Sequence, residues 1–181
     1  LDLMSDQDAL TQYFYLRRNI VKAEVEIPER DNIFAVNTHL TAFATDDTNK
    51  KHVLTYRGTL DDLNNAGLKF ISGGDLNSLP PVSLGDTIPD FCISDRCDWE
   101  TFHNEIDDGP HKPGSYFENG EDENIWLQPL YDNYNPAISF ESRLDSTHYT
   151  HSPGTKLNLD KKLDYLFTNL TVEPSSGNTI Q

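Results

Sequence analysis

Residues 69–80 constrain this chain more than any other segment. Lys69, Phe70 and Ile71 predict a short buried strand, and the strand ends on two glycines that are followed by Asp-Leu-Asn-Ser-Leu-Pro. Successive side chains of a strand point to opposite sides, so residues two apart share a side. On this pattern Asp75 and Asn77 converge at the carboxyl end of the strand. A carboxylate can bind a metal or take a proton from water, and a carboxamide can orient an oxygen atom. The pair therefore predicts a hydrolytic site, although Gly-Asp sequences also occur in turns.

Two further segments place polar residues at strand ends. Residues 32–36 predict a strand that runs into Asn37-Thr38-His39, and residues 162–168 predict another that carries Asp164 among apolar neighbours. A buried carboxylate without a partner is costly, so Asp164 must face water or pair with another group. A neighbouring lysine, Lys161 or Lys162, is a structural alternative for that partner.

Three short motifs occur in a recognisable order: Asn37-Thr38-His39-Leu40, Gly74-Asp75-Leu76-Asn77 and Leu163-Asp164-Tyr165. Together they resemble the endonuclease/exonuclease/phosphatase superfamily, which includes deoxyribonucleases, sphingomyelinases and deadenylases. The resemblance covers roughly residues 20–167. It implies an α/β fold, a four-layer α/β sandwich of two packed mixed sheets flanked by helices. It also implies Mg²⁺-dependent hydrolysis of a phosphate ester, with Mn²⁺ or Ca²⁺ as alternative metals.

The resemblance assigns a role to each candidate residue. Asp75 would activate the attacking water, Asn77 would orient the water or the phosphate, and both are candidate metal ligands. His39 would contact a phosphate oxygen, where charge grows during attack. Asp164 would orient a histidine of the superfamily's Ser-Asp-His motif. The candidate substrate-binding residues are Asn37, Thr150 and His151, with an exposed strand as the alternative for the last two.

Two motifs of the superfamily are not found in this sequence. They are a metal-binding glutamate on an early strand and the Ser-Asp-His motif after the last strand. We therefore expect residues 1–181 to form the central and C-terminal portion of one such domain.

Charge separates the possible substrates. The chain has 30 acidic and 14 basic residues, which give a formal charge of −16. An acidic field repels polyphosphate backbones, so a small-molecule or lipid head-group ester is favoured over nucleic acid. A nuclease or deadenylase-like enzyme remains an alternative, because Gly-Asp-Leu-Asn-Ser-Leu-Pro resembles the deadenylase motif. A catalytically silent phosphate-binding module is a second alternative. We expect a monomer.

The cysteines leave the compartment open. Cys92 and Cys97 lie in one short segment and form either a disulfide or two reduced thiols. A disulfide, together with the glycosylation pattern Asn169-Leu-Thr171, would favour an extracytoplasmic location. No apolar run reaches the length of a membrane span, so we expect no transmembrane segment.

Periodicity predicts the remaining elements. Alternating apolar residues predict a half-buried strand over residues 20–27 that pairs as a hairpin with the next strand. Residues 48–65 predict an amphipathic helix that stops before Gly67, which completes a βαβ unit with the strand at residues 69–72. Residues 144–151 predict a strand, on which His148 and His151 face opposite sides and cannot share a metal. Residues 80–136 predict a substrate-facing insertion with short helices.

Overall fold

The computed structural model describes residues 18–41, 48–81, 126–151, 159, 162–173 and 176–180. Within these ranges the chain forms a sheet of five strands in the order β1-β2-β3-β5-β4. The elements are β1 (Ile20–Val25), β2 (Ile33–His39), α1 (Thr48–Asn65), β3 (Lys69–Asp75), α2 (Gln128–Asn133), β4 (Asn135–Pro136), a 3₁₀ turn (Ser146–His148) and β5 (Asp164–Thr168).

The predicted hairpin and the predicted βαβ unit are both confirmed. β1 pairs antiparallel with β2, and the polar turn between them holds Glu29 at a φ of 61°. β2 pairs parallel with β3 through the crossover helix α1. β5 then pairs antiparallel with both β3 and β4, so the sheet is mixed.

Helix α1 ends where the sequence predicts. Gly67 has a φ of 70°, a conformation that favours glycine. The Gly67 amide donates to the carbonyl of Asn64 and the Leu68 amide donates to that of Leu63, at 2.9 and 3.0 Å. This is a Schellman ending, which satisfies the last helical carbonyls and turns the chain directly into β3.

The core lies on one side of the sheet, which we call the closed face. Val36, Phe70, Tyr165 and Phe167 project from the central strands into this core. Helix α1 covers them with buried side chains at spacings of three and four residues, as an amphipathic helix must. Aromatic rings also pack in this core, since the rings of Phe70 and Tyr134 form a T-shaped contact with their centroids 5.2 Å apart. The residues that α1 contributes to the core are Val53, Tyr56, Leu60 and Leu63.

The opposite side, which we call the open face, exposes apolar side chains. Register and alternation place Val21, Val25, Ile71 and Leu166 on this side, and all four are exposed. The prediction of a half-buried strand over residues 20–27 is therefore wrong in two respects. β1 ends at Val25, and its burial pattern is almost entirely exposed because β1 is an edge strand, of which only Ile20 packs against the core.

The fold class is α/β, with helices packed on a mixed sheet. A second sheet is not present among the described residues. The predicted strand over residues 144–151 is also wrong. Asp145 accepts hydrogen bonds from the Thr147 amide and hydroxyl at 2.9 and 2.8 Å, and this local capping starts a 3₁₀ turn instead.

Much of the predicted insertion lies outside the described residues, including Cys92 and Cys97. The short helix expected within it is confirmed at α2, where Pro129 occupies one of the first two helical positions. In the part of the chain that the structure describes, no helix is both long and apolar enough to cross a membrane.

Candidate active site

Three polar side chains lie side by side where the central strands end. His39 is the last residue of β2 and pairs in register with Asp75, the last residue of β3. Asp75 in turn pairs in register with Asp164, the first residue of β5. Paired residues of adjacent strands project from the same side, so the three share the open face at one end of the sheet. The structure thus brings His39, Asp75 and Asp164 together at one end of the sheet.

The His39–Asp75 pair is accessible to solvent from one side. The Nε2 atom of His39 is 3.5 Å from the Oδ2 atom of Asp75, an ion-pairing distance when the imidazole is protonated. The His39 side chain is 56% exposed and that of Asp75 is 29% exposed. A ligand can therefore reach both groups, although the Asp75 carboxylate is more buried than the His39 imidazole.

The pKa of the Asp75 carboxyl is raised above its ordinary value. Burial is the largest cause, because it disfavours the charged form. The hydrogen bond from the Asn77 amide lowers the pKa, repulsion from Asp164 raises it, and the charges of His39 and His151 lower it. The net effect is a raised pKa, and a carboxylate with a higher pKa is a stronger base.

Gly74 allows the strands to meet closely at this end. Its φ is 137°, and a Cβ atom at this position would overlap the Thr38 carbonyl oxygen on β2. The glycines do not end the strand as predicted, because β3 continues through Gly73 and Gly74 to Asp75. Their lack of side chains instead lets β2, β3 and β5 converge beneath the polar cluster.

Asn77 does not lie beside Asp75 in the way that strand alternation predicts. β3 ends at Asp75, and Asn77 has a φ of 45°, so the alternation of an extended strand no longer applies. Its backbone amide donates to Asp75 Oδ1 at 2.8 Å, and its buried side-chain Nδ2 donates to the Leu40 carbonyl at 2.9 Å. Asn77 therefore ties the ends of β2 and β3 together, and its role as a metal ligand stays a prediction.

Two residues that sequence reasoning missed donate hydrogen bonds to the turn at residues 77–78. The Nδ2 atom of Asn49, near the start of α1, donates to the Asn77 carbonyl at 3.0 Å. The Tyr165 hydroxyl donates to the Ser78 carbonyl at 2.8 Å from the closed face of β5. A buried asparagine in the first turn of an amphipathic helix indicates a hydrogen-bonding role for Asn49, but the sequence does not identify its partner, which is 28 residues away.

The candidate substrate-binding residues have different surroundings. Asn37 is exposed on the open face two residues before His39. His151 is half-buried, and its charge acts on Asp75. The Thr150 hydroxyl oxygen accepts hydrogen bonds from the amides of Leu163 and Asp164, both at 3.1 Å. Thr150 thus fixes the start of β5 and the position of Asp164.

Lys162 is buried close to the polar cluster. It is 3% exposed, and its Nζ atom lies over the Tyr165 ring at 5.3 Å from the centroid. Burial lowers the pKa of its ammonium group to about 8. The structural alternative for Asp164, a salt bridge with Lys162, is not formed, and Lys161 lies outside the described residues.

The carboxylates of Asp75 and Asp164 are the groups at this site that suit Mg²⁺. Asp75 offers a partly exposed carboxylate, and Asp164 adds a second negative charge that already repels it. Proteins commonly hold Mg²⁺ with one or two carboxylates while water fills the other positions. Among the described residues, no group of three or more His, Cys, Asp or Glu side chains is arranged to hold a metal ion. The partly exposed carboxylate of Asp75 fits a cation that keeps most of its water.

No protein-family model matches the chain, and no curated protein sequence matches it either.

Proposed function

We propose that the protein is a metal-dependent phosphoesterase that hydrolyses a phosphodiester or phosphomonoester of a small molecule or a lipid head group. The observation that carries this proposal is the in-register row of His39, Asp75 and Asp164 on three neighbouring strands. A proton acceptor next to a group that can donate a hydrogen bond to a phosphate oxygen is the equipment that hydrolysis of a phosphate ester needs.

Asp75 is the general base in this proposal. Its partly exposed carboxylate can accept a proton from the attacking water. The Asn77 amide holds one carboxylate oxygen at 2.8 Å and leaves the other facing His39. Water bound at that second oxygen would lie beside the imidazole of His39.

His39 is the group that contacts the phosphate. Its ring lies 3.5 Å from Asp75 and is more than half exposed, so a phosphoryl oxygen can approach Nε2 while water stays on the carboxylate. A protonated imidazole stabilises the negative charge that grows on the phosphoryl oxygens. Asp164, held by Thr150, adds the negative charge that keeps this end of the sheet attractive to cations.

Mg²⁺ is the proposed cofactor, with Asp75 and Asn77 as its candidate ligands. When bound, it would offset charge on the phosphoryl group. The pKa of Asp75 is raised in part by repulsion from Asp164, and a cation beside Asp75 relieves this repulsion.

We also propose the finer architecture of a four-layer sandwich. The open face exposes Ile71 and Leu166 on the adjacent strands β3 and β5, and Val21 on β1, and large exposed apolar surface is normally covered. A second sheet packed on this face would complete the sandwich and would wall the row of polar residues on one side.

Turnover of bis(4-nitrophenyl) phosphate by the complete protein tests the function. We expect activity with Mg²⁺ that EDTA abolishes. Asp75→Asn should reduce turnover by about 10²-fold or more, which is the scale of general-base and electrostatic contributions. The matched control is Asp31→Asn, because Asp31 is an exposed acid that pairs with Lys69 away from the site.

Two results would contradict the proposal. One is a folded Asp75→Asn protein with the turnover of the wild type. The other is hydrolysis that proceeds equally in EDTA. A protein that binds phosphate without any turnover would favour the silent phosphate-binding module instead.

A further inference from the structure

A cavity of about 260 Å³ opens beside the first residues of β5. It reaches the row of polar residues, since Gly74 and Asp164 form part of its wall. Tyr131 and the segment 136–138 form much of its apolar wall, together with Leu166. The polar groups that line it are Thr150, Lys162, Asp164, Asn178 and Thr179.

Lys162 is a buried lysine among the residues that line this cavity. The residue is 3% exposed, and within the described ranges its contact is with the face of the Tyr165 ring rather than with a carboxylate. A buried ammonium group is costly unless an anion or several acceptors compensate it. A cavity that brings an ammonium to an apolar wall is therefore suited to a ligand with an anionic head and an apolar body.

Asp164 does not cancel this attraction. It is exposed to water, which screens its charge, whereas the Lys162 ammonium lies in surroundings of low polarity. An anion bound at Lys162 gains more from the buried cation than it loses to the exposed carboxylate.

We propose that this cavity is an anion subsite in which Lys162 binds a phosphate group whose organic substituent packs against Tyr131 and Leu166. The inference rests on the proposed function, because the cavity reaches the row of polar residues and the phosphate held by Lys162 would be the one that is hydrolysed there. It also specifies the substrate class, which is a phosphate ester that carries a compact apolar or aromatic group.

Binding of phenyl phosphate and inorganic phosphate to the complete protein, measured by calorimetry, tests the subsite. Phenyl phosphate should bind more tightly than inorganic phosphate, because its ring buries apolar surface. Lys162→Met should weaken the binding of phenyl phosphate by about tenfold or more, the scale of one charge-assisted hydrogen bond. Lys69→Met is the matched control, because Lys69 is an exposed lysine that pairs with Asp31, and it should bind phenyl phosphate as the wild type does.

A second measurement avoids dependence on a folded variant. Acetylation of Lys162 in the wild-type protein by acetic anhydride, followed by peptide mass spectrometry, should slow about fivefold or more in saturating phenyl phosphate. Acetylation of the exposed Lys69 should not change. Equal acetylation of Lys162 with and without phenyl phosphate would overturn the subsite, as would wild-type affinity in folded Lys162→Met.

These results are distinguishable from failure of the phosphoesterase proposal. Asp75→Asn should lose turnover and still bind phenyl phosphate. Binding that depends on Lys162 in a protein without hydrolytic activity would keep the subsite and remove the enzyme. Hydrolysis that is indifferent to Lys162 would keep the enzyme and remove the subsite.

Discussion

The two faces of the sheet are built from the same strands and have opposite environments. On β3, Phe70 is 0% exposed and the next residue, Ile71, is 47% exposed. The closed face is sealed by α1 and by aromatic contacts, and it contains a hydrogen bond of 2.5 Å between Tyr56 and Ser72. The open face combines exposed apolar residues with the row of His39, Asp75 and Asp164 at one end.

The difference shows which face provides stability and which provides chemistry. Burial on the closed face fixes the strands, and the glycine at position 74 lets them converge. The rigid strands then hold the polar side chains in register on the accessible side, as a reactive site requires. The predictions below test this division, beginning with the largest expected effect.

Phe70→Ala and Ile71→Ala compare the two faces directly. Phe70→Ala should reduce the free energy of unfolding by about 3–5 kcal/mol, because it opens a cavity in the core. Ile71→Ala should cost about 1 kcal/mol or less if the open face is exposed to water. Urea denaturation of both variants of the complete protein measures the difference.

A large loss of stability in Ile71→Ala would contradict the difference between the two faces. It would show that Ile71 is covered in solution and would support the second sheet of the proposed sandwich. Leu54→Ala on the exposed side of α1 is the control, because that residue is 48% exposed and lies away from the sheet.

Lys162→Met tests the cost of burying a charged group, because Lys162 is only 3% exposed. The pKa of Lys162 is lowered from 10.5 to about 8 by burial, so the folded state disfavours the charged form. Below pH 8 the folded and unfolded states are both protonated and the full cost, on the order of 3 kcal/mol, is present. The cost declines between pH 8 and about 10.5 as the folded protein releases the proton, and it is absent above that range.

Lys162→Met should therefore be more stable than the wild type at pH 7, by up to about 3 kcal/mol less the lost contact with the Tyr165 ring. The gap should close as the pH approaches 10.5. Urea denaturation at pH 7 and at pH 10 provides the measurement. A variant that is destabilised equally at both pH values would show that the ammonium is not strained by burial.

Thr150→Val tests the hydrogen bonds that fix the start of β5. The substitution keeps the shape of the side chain but removes the acceptor of two backbone amides, those of Leu163 and Asp164. It should cost about 1–2 kcal/mol of stability, and Thr150→Ser should restore most of it. Thr59→Val is the control, because its hydroxyl donates only to a carbonyl of its own helix.

Activity gives the same prediction a second readout. Turnover in Thr150→Val should fall, because Asp164 loses the group that positions it. Unchanged stability and turnover would show that other contacts hold β5.

Local patterns predicted the elements whose partners are close in sequence. The hairpin of β1 and β2, helix α1 and its ending at Gly67, and the parallel pairing of β2 with β3 all follow from periodicity and turn chemistry. The strand expected at residues 144–151 failed because the capping side chain of Asp145 outweighed a weak alternation. Asn77 failed as a strand neighbour of Asp75 because its backbone turns at the end of β3.

The sequence by itself determined which chemical groups stand at the ends of the central strands. His39, Asp75 and Asp164 could be named because each follows or lies within an apolar run that predicts a strand. Only the tertiary structure decided which face they share and what supports them. The register between strands, the burial of Lys162 and the contact of Thr150 with β5 join residues that are distant along the chain or depend on packing. Such relations depend on how the layers pack, which no local pattern of residues specifies.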